Sequence, residues 1–581
     1  MESNVFTSVY DDITHLSPKR SVFDLSHDTT FDCDFGQLIP ICAIDCVPGD
    51  THVLDAASLV RTMPLIAPSM NEVNVFTHFF FVPYRLLMGE SSLSTDEFPE
   101  DIVDYEYENN DKLWETFITG GNKGNGKYHG EFVTLPQWNR NDSDVAYPAN
   151  TDWKGIHSLW DYFGNPITSA NLPLTCHSFR KRAYNLIWNE YYRDENVMGR
   201  RHIDNNFIAL RCFKKDYFTS ALPSQVRGTV PAIPVTLVGS APVIYQNTTI
   251  PVSVGAKASI VHNRAYAVNQ EGTTKDWQGS VVQANLSGST IGNQFVDGTV
   301  YYRYPLQIST PNGSVALDGV DVGSMFGVNE LRETLATQAW LERNMRCGVR
   351  YVEFLRAHFN EAPTDATLQR PEFIGGTVNA LAINEVLQSS ASAEGSTPQG
   401  NLAGKGISVG GDFVGEYDVK EFGVIIGLFS IMPKAYYQQG FDRNFLRNEK
   451  FDFYFPEFSN LSEESIEMRE IYVPSDGEVT VDDMTEIFGY QGNFNEMRSI
   501  PSRVTGSVRF GQPLDYWNNA RFFGSAPHLN KEFLEVDGTR EDLKRIFAVN
   551  EGECAFICHV HNNIKAVRPL PIEPIPNTFG F

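Results

Sequence analysis

The stretch Val424-Ile-Ile-Gly-Leu-Phe-Ser430 is an almost continuous run of β-branched and aromatic residues. Similar runs at Asn74–Phe81 (NVFTHFFF) and Cys554–Val560 (CAFICHV) lie close to proline or glycine. Short runs of this kind next to turn residues predict β-strands. Two more are Gly228–Val238 and Ile250–Val261. Because the runs are unevenly spaced and do not alternate with helices, they favour an antiparallel sandwich with large insertions over a parallel sheet.

Two longer segments show helical periodicity. In Cys176–Asn196 the apolar residues recur every three or four positions, at Phe179, Ala183, Leu186, Ile187 and Tyr191. The residues expected outside this buried stripe are Arg180, Lys181, Asn185 and Asn189. The second segment, Asn329–Phe359, begins with a residue suited to a helix N-cap, and Gly348 is expected to interrupt it.

Charge and composition restrict the function classes. The chain has 581 residues, 72 acidic against 46 basic, which gives a formal net charge of −26. Its hydrophobic content of 42% is that of a folded globular protein. Nucleic-acid affinity depends on lysine and arginine displacing counterions, so an acidic protein cannot coat DNA over its whole surface. Contact with DNA therefore requires local basic patches or a separate cationic partner.

Several features predict where the chain resides. Its longest apolar runs fall far short of the roughly 20 residues that span a bilayer, so the protein is not expected to be membrane-embedded. The opening residues offer neither a basic nor an apolar region of a secretory signal. Eight scattered cysteines are typical of thiols in a reducing cytoplasm. The chain is expected to stay in the compartment where it is made.

One segment differs in composition from the rest. Ala241–Asp321 is dense in serine, threonine, asparagine, glycine and valine and has few charges, which predicts a β-rich surface insertion. The chain then divides into residues 1–240, the insertion 241–321, and residues 322–581. A second tract rich in serine and glycine, Gln388–Gly411, predicts a long loop.

No catalytic motif, metal site or cofactor site is predicted. Gly121–Tyr128 follows the phosphate-binding loop pattern until its last position, where tyrosine replaces the small hydroxyl residue that holds Mg²⁺. The acidic tract Asp96–Asp111 lacks the residue order of a calcium loop. Solvated surface loops account for both segments, and the chain is not expected to be an enzyme.

Two histidines and two cysteines have spacings that could begin a metal site. His559 and His561 lie two residues apart on a predicted strand and therefore share a face, with Cys558 on the other. Two histidines fall short of three or four ligands, and Cys42 and Cys46 have no second pair at finger distance. The alternative function uses these histidines with the acidic loops in a jelly-roll carbohydrate-binding or carbohydrate-active protein. An adhesion protein is a third possibility, against which the missing export signal counts.

Basic residues cluster in three places, one of which is Arg200 and Arg201 after the first helical segment. The candidates for DNA contact are Arg180, Lys181 and Arg182 in the first helical segment and Arg343, Arg346 and Arg350 in the second. Trp340 and Tyr351 lie near the second group, and aromatic rings stack on unpaired bases. The alternative is that these basic residues pair with the surplus aspartate and glutamate.

A set of collinear strings resembles the major capsid protein of the Microviridae, small single-stranded-DNA bacteriophages, in their gokushovirus branch. The strings are Phe23–His27, Leu38–Pro40, Pro48–Asp50, Phe79–Leu86, Arg182–Asn196, Lys215–Pro223, Leu355–Phe359, Leu368–Glu372, Thr397–Asn401, Tyr437–Gly440, Phe488–Gln491, Pro501–Arg503 and Arg568–Pro571. They cover nearly the whole chain except Ala241–Asp321.

The resemblance implies a mainly β fold, an eight-stranded antiparallel jelly roll with long interstrand insertions that contain some helices. It implies self-assembly into an icosahedral T=1 capsid around circular single-stranded DNA. Residues 241–321 match the position of a variable insertion that projects at the threefold axes and meets a receptor on the bacterial host surface. The implied partners are an internal scaffolding protein, a DNA pilot protein and a small basic DNA-binding protein. The implied location is the virion, with assembly in the host bacterial cytoplasm.

Overall fold

The computed structural model describes residues 20–88, 90–91, 107–108, 135–139, 156–167, 175–226, 328–346, 357, 370–387, 402–458, 463–474, 485–549 and 552–572, with five short strands between 266 and 301. The chain forms two compact units, Met1–Val230 with Gln338–Phe581, and Pro231–Thr337. The domain boundaries at 240/241 and 321/322 stay a prediction. Outside the described residues lie the predicted strands Gly228–Val238 and Ile250–Val261, the Gly121–Tyr128 loop, Gly348, Arg350 and most of Asp96–Asp111.

The strands, in chain order, are β1 (Ser21–Asp24), β2 (His27–Cys33), β3 (Ile39–Cys46), β4 (Thr51–Thr62), β5 (Val73–Pro83), β6 (Glu90–Ser91), β7 (Tyr107–Glu108), β8 (Gln137–Asn139), β9 (Thr175–His177), β10 (Tyr266–Val268), β11 (Thr273–Asp276), β12 (Val281–Gln283), β13 (Gln294–Val296), β14 (Thr299–Tyr301), β15 (Glu372–Ala380), β16 (Ala382–Leu387), β17 (Leu402–Asp418), β18 (Gly423–Pro433), β19 (Glu463–Glu467), β20 (Ile487–Gly492) and β21 (Phe556–Arg568).

The α-helices are α1 (Leu159–Tyr162), α2 (Phe179–Ile187), α3 (Val328–Arg346), α4 (Met468–Ile471), α5 (Lys531–Leu534) and α6 (Glu541–Lys544). A π-helical turn, Trp188–Tyr192, continues α2. Single 3-10 turns lie at Tyr84–Leu87, Arg443–Phe445, Lys450–Asp452, Pro456–Phe458, Asn495–Met497, Gly506–Val508 and Asp515–Trp517. None of the helices in the described ranges has the length and apolar character that a membrane crossing requires.

Two antiparallel sheets form the body of the first unit. The first sheet has the order β21-β4-β17-β16, with both β1 and β2 paired to the free side of β21. The second has the order β15-β5-β18-β3. Strands β2 to β5 alternate between the two sheets, a crossing pattern typical of the double-sheet jelly roll. The predicted antiparallel sandwich is confirmed, whereas the count of eight strands stays a prediction because the sheets hold six and four.

The two sheets pack through aromatic side chains. Phe31 of β2 meets Phe429 of β18 edge-to-face, with ring centroids 5.3 Å apart. Phe81 of β5 packs on Tyr417 of β17 at 5.0 Å. Buried aromatic residues contribute large apolar areas and favour such offset geometries. The contacts fix the sheets face to face around one core.

Burial patterns explain why some strands were readable from sequence. Every residue of β18 is buried, because the first sheet covers one face and helix α2 contacts the strand from outside the sandwich. A strand covered on both faces reads as a continuous apolar run. By contrast β4 and β21 alternate buried and exposed residues, so the first sheet has one face against the core and one toward solvent.

The predicted helix over Cys176–Asn196 is confirmed with narrower bounds, but the expected polar face is wrong. Lys181, Asn185 and Asn189 are buried, and of the four residues expected outside the stripe only Arg180 is half-exposed. The segment that follows the helix folds back over it. Asn185 Nδ2 donates to the carbonyl oxygens of residues 203 and 205 at 2.8 Å, which compensates the burial of its amide.

The predicted loop over Gln388–Gly411 is wrong from Leu402 onward, because those residues begin strand β17. The glycines that suggested a loop permit close approach between elements. A Cβ at Gly404 would lie 2.8 Å from the Pro68 Cα, and one at Gly410 would lie 2.1 Å from the Asn379 side chain. Glycine inside a strand marks such a close approach as well as a loop.

Candidate assembly and nucleic-acid surfaces

A dense group of exposed aromatic side chains lies on Phe441–Phe458, which we call the aromatic segment. Phe445 is 83% exposed, the highest value among its rings. The other exposed rings of the segment are Phe441, Phe451, Phe453, Tyr454 and Phe455. Contiguous exposed apolar area of this kind marks protein–protein contact sites.

The backbone of the aromatic segment is held by ion pairs with neighbouring elements. Arg443 Nη1 donates to Glu470 Oε1 at 2.5 Å, and Arg443 also pairs with Glu464. Arg447 Nη2 lies 2.8 Å from Glu496 Oε1. Because Glu470 and Glu496 are buried, these charge-assisted bonds fix the segment against the protein. The segment therefore presents its rings from an ordered frame.

The solvent face of the first sheet is the second apolar surface. Val409 and Phe413 of β17 and Ile557 of β21 are exposed there. Antiparallel register places Leu59 of β4 between Val409 and His559, so the apolar residues and the histidines share one face. The exposed apolar side chains are thus interspersed with polar and charged ones, a mixture that suits contact with another protein surface.

The two histidines singled out in the sequence lie on that face, as predicted, and Cys558 is buried on the other. Strand β2 brings Asp28 beside them, with its Oδ1 at 2.5 Å from His561 Nδ1 and 3.9 Å from His559 Nε2. The hydrogen bond from His561 lowers the pKa of Asp28. His559 Nδ1 lies 2.8 Å from the hydroxyl of Thr30. Sequence reasoning missed this carboxylate, because it lies more than 500 residues from the histidines along the chain.

A groove of about 850 Å³ lies on the outer face of the second sheet. Its aromatic lining comes from alternate residues of β5, from the end of the π-helical turn and from β15: Phe76, His78, Phe80, Tyr191, Tyr192 and Phe373. Its charged lining consists of five basic residues, Arg193, Arg211, Lys214, Lys215 and Lys434, against two acidic residues, Glu72 and Asp194. A groove with three excess positive charges stands out in a chain of net charge −26.

Aromatic and basic groups in the groove contact one another. The Arg211 guanidinium lies 4.2 Å above the Phe76 ring, and its Nη1 donates to Ser430 Oγ at 3.0 Å. His78 Nδ1 lies 2.7 Å from the Tyr192 hydroxyl. Burial, followed by the Arg211 charge, lowers the pKa of His78 to about 4. The imidazole is therefore neutral near pH 7, and the positive charge of the groove comes from arginine and lysine.

The basic residues predicted for DNA contact fall into different environments. Lys181 and Arg182 are buried, and Arg182 forms an ion pair with Asp204. Arg180 is half-exposed, with Nη2 at 3.1 Å from Asp45 Oδ2. On helix α3, Arg343 and Arg346 are exposed, and Arg346 Nε lies 2.5 Å from Glu463 Oε1. Arg350 lies outside the described residues.

Sequence reasoning missed both the aromatic segment and the groove. The segment contains a visible signal, seven aromatic residues within Phe441–Phe445 and Phe451–Phe458, but sequence alone does not show that the rings point outward. The groove combines β5, β15, β18 and the turn after α2, which are far apart in the chain. Only the alternation of Phe76, His78 and Phe80 within one strand could have indicated it.

Comparison with known proteins shows the family of the chain. The chain matches the family model described as Capsid protein (F protein) over residues 13–578. The chain belongs to this phage capsid protein family. The protein is 30% identical to Capsid protein VP1 of Chlamydia phage 1, covering 99% of this chain and 98% of that protein. It is 31% identical to Capsid protein VP1 of Bdellovibrio phage phiMH2K, with coverage of 98% and 97%.

The same capsid family relationship extends to Capsid protein VP1 of Spiroplasma virus 4, at 27% identity over 96% of this chain and 95% of the relative. The resemblance to Microviridae capsid proteins is thereby confirmed. This capsid family member is a structural major capsid protein of the virion, and membership implies self-assembly into a shell. The alternative of a carbohydrate-binding or carbohydrate-active protein finds no support in these comparisons.

Proposed function

We propose that the protein assembles into a T=1 icosahedral shell through its aromatic segment and encloses circular single-stranded DNA without catalysing a reaction. The exposed rings of the aromatic segment, held on a buried ionic frame, carry this proposal. A closed shell needs complementary surfaces whose rotation closes. Aromatic residues are enriched in the buried centres of such contacts.

The groove supports the DNA part of the proposal. Proteins that hold single-stranded nucleic acid combine a cationic groove with aromatic rings on which bases stack. The groove offers both, with Phe373 exposed at its edge and Lys214 exposed among the basic residues. Of the six basic residues predicted for DNA contact, Arg180, Arg343 and Arg346 are those described with charge at the surface.

The remaining partners follow from family membership and charge. An acidic shell benefits from a small basic DNA-binding protein, since packaged phosphates otherwise repel the net charge of −26. We assign residues 241–321 to contact with the bacterial host surface and expect an internal scaffolding protein and a DNA pilot protein. Assembly is assigned to the host bacterial cytoplasm.

The test uses polar substitutions in the aromatic segment. Phe445→Ser and Phe451→Ser are expected to abolish particle formation, measured by size-exclusion chromatography and negative-stain microscopy, while leaving the thermal unfolding midpoint of the subunit unchanged. Phe445→Leu keeps the apolar contact and is expected to assemble. Met70→Ser removes an apolar side chain that is as exposed as Phe445 but lies outside the aromatic segment and the groove, and it serves as the matched control. Normal particles from both serine variants of the segment would refute its role in assembly.

A further inference from the structure

Three side chains of the kinds that bind transition metals meet beside the edge of the first sheet. They are Asp32 on β2, His157 just before helix α1, and Cys554 just before β21. His157 Nε2 lies 2.8 Å from Asp32 Oδ2 and 3.8 Å from Cys554 Sγ. The three ligand atoms lie within 4.8 Å of one another. Segments far apart in the chain thus bring a carboxylate, an imidazole and a thiol to one point.

The arrangement differs from a catalytic relay. In a relay the nucleophile and the carboxylate bind opposite nitrogens of the imidazole. Here both the thiol and the carboxylate face the same nitrogen, Nε2 of His157. Three ligand atoms that face a common centre are the arrangement of a metal site.

The nitrogen–sulfur spacing fits a tetrahedral ion, whereas the 2.8 Å between His157 Nε2 and Asp32 Oδ2 is a hydrogen bond that must lengthen to about 3.4 Å when the ion binds. Zinc–nitrogen bonds of about 2.0–2.1 Å and zinc–sulfur bonds of about 2.3 Å give a nitrogen–sulfur separation of about 3.6 Å at a tetrahedral angle. The observed separation between His157 Nε2 and Cys554 Sγ is 3.8 Å. Cys554 is buried, while Asp32 and His157 are partly exposed, so one side of the trio is open to solvent. A water molecule can complete the coordination there.

Neighbouring groups hold the three ligands in place. The Tyr162 hydroxyl donates to the Asp32 carbonyl oxygen at 2.8 Å, and its ring stacks on His157 with centroids 6.4 Å apart. The His157 backbone N–H donates to Asp161 Oδ2 at 3.1 Å. His157 has φ of 66°, a left-handed conformation that is costly for a residue other than glycine. A strained backbone of this kind persists only where the surrounding structure holds it in place, and such positions cluster at functional sites.

The local charge also favours a cation. Asp34 is buried beside the trio, where its Oδ1 accepts the backbone N–H of Ala555 at 2.8 Å, so two carboxylates lie close to the Cys554 thiol. A bound divalent cation would offset the repulsion between these groups and favour the thiolate, with release of the thiol proton to solvent.

A second trio in the chain makes a useful contrast. Cys46, Asp50 and His52 are all buried and close together. However, the Arg568 Nε lies 3.5 Å from Asp50 Oδ2 and already places a positive charge beside that carboxylate. The two trios thus have the same ligand types, and in the second an arginine already balances the carboxylate.

We infer that Asp32, His157 and Cys554 bind one zinc-type divalent cation, which ties β2, the segment before α1 and the start of β21 together. Thiolate with imidazole and carboxylate selects zinc over calcium or magnesium, which prefer oxygen ligands alone. The cation would be structural, stabilising the subunit before and after assembly. This inference does not depend on the proposed assembly surface.

The experiment titrates the reduced, purified full-length subunit with Co²⁺ and records the thiolate-to-cobalt charge-transfer band, then competes with Zn²⁺. Wild type is expected to bind one equivalent, and Zn²⁺ is expected to raise the thermal midpoint. Cys554→Ser and His157→Gln are expected to lose the band, whereas Cys46→Ser and Cys176→Ser keep it. A wild type without the band would overturn the inference. So would a band that disappears in Cys46→Ser but persists in Cys554→Ser.

Discussion

Arg182 and Asp204 form a bidentate ion pair in which Nε donates to Oδ1 at 2.8 Å and Nη2 donates to Oδ2 at 2.7 Å. The Arg182 Nη1 also donates to the carbonyl oxygen of Leu87 at 2.8 Å. The guanidinium therefore joins helix α2, the loop that folds back over it, and the end of the turn after β5. Hydrogen bonds from Arg182 help to keep the pKa of Asp204 below its usual range despite the desolvation of the carboxylate.

Replacing Arg182 tests whether this residue stabilises the fold. Arg182→Gln is expected to lower the free energy of unfolding by about 2 kcal/mol, because it removes the charge-assisted bonds to Asp204 and leaves only Lys181 Nζ, 3.7 Å from Oδ1, beside that carboxylate. The neighbouring Arg180→Gln removes a half-exposed pair with Asp45 and is expected to cost about 0–1 kcal/mol. Urea unfolding of the unassembled subunit measures both. Equal losses of unfolding free energy in the two variants would contradict the stabilising role assigned to Arg182.

Glu535 provides a pH-dependent prediction. Burial raises the pKa of Glu535 to about 7. Since the folded pKa lies above the unfolded one, the favourable contribution is complete below about pH 4.5 and is lost as the pH rises through about 7. Glu535→Gln keeps the neutral form at every pH. It is expected to be more stable than wild type at pH 8, by up to about 3 kcal/mol, and similar at pH 4.5.

Denaturant unfolding at the two pH values measures the Glu535 effect. The matched control is Glu532→Gln on helix α5, where the side chain is exposed. A higher free energy of unfolding at pH 8 in both variants would point to a general effect of reduced negative charge. A gain at pH 4.5 equal to that at pH 8 would contradict the role of ionisation.

His78 predicts a pH dependence in the acid range. Its pKa falls to about 4 in the fold because of burial and the Arg211 charge. The unfolded chain therefore takes up this proton first, near pH 6.5, so stability is expected to fall as the pH drops from about 6.5 to 4. His78→Asn retains an acceptor for the Tyr192 hydroxyl but cannot titrate. The variant is expected to show a shallower loss of stability in this range, measured by thermal unfolding from pH 7 to 4.

The groove on the second sheet predicts a salt-dependent interaction with single-stranded DNA. Each phosphate contact that is removed reduces the slope of log K against log salt by about 0.7 for single strands. Lys214→Gln is expected to show this reduction in oligonucleotide binding measured by fluorescence anisotropy at several salt concentrations. Lys405→Gln removes an exposed lysine from β17, outside the groove, and is expected to leave the slope unchanged. The same slope in wild type and Lys214→Gln would exclude Lys214 from phosphate contact.

Local pattern explains which parts of the fold were predictable. The run at Val424–Ser430 is decisive because both faces of β18 are covered, so every position must be apolar. Strand β17 was missed because its glycines serve close packing against Pro68 and Asn379, a cause that local composition does not distinguish from a loop. The buried amide of Asn185 was missed because its partners come from a loop that only the tertiary structure places over the helix.

The functional surfaces were less predictable than the strands. Basic residues in one helical turn suggested a nucleic-acid contact, yet Arg182 is directed to Asp204 and Arg180 to Asp45. The groove depends on Arg211 reaching Phe76 across two elements, which only the sheet order brings together. The net negative charge of the chain predicts that any basic patch must be local. The position of the patch depends on the order of the strands in the sheet, which the charge count does not reveal.

The most direct test of the central claim is electron cryomicroscopy of particles formed by the purified wild-type chain, with their symmetry determined from the images. The account predicts closed icosahedral shells of one size and the smallest triangulation class, with Phe445 and Phe451 buried between neighbouring subunits. Two results would contradict this claim. One is a shell in which the aromatic segment remains in solvent, and the other is a wild-type chain that stays monomeric, as the serine variants are expected to do.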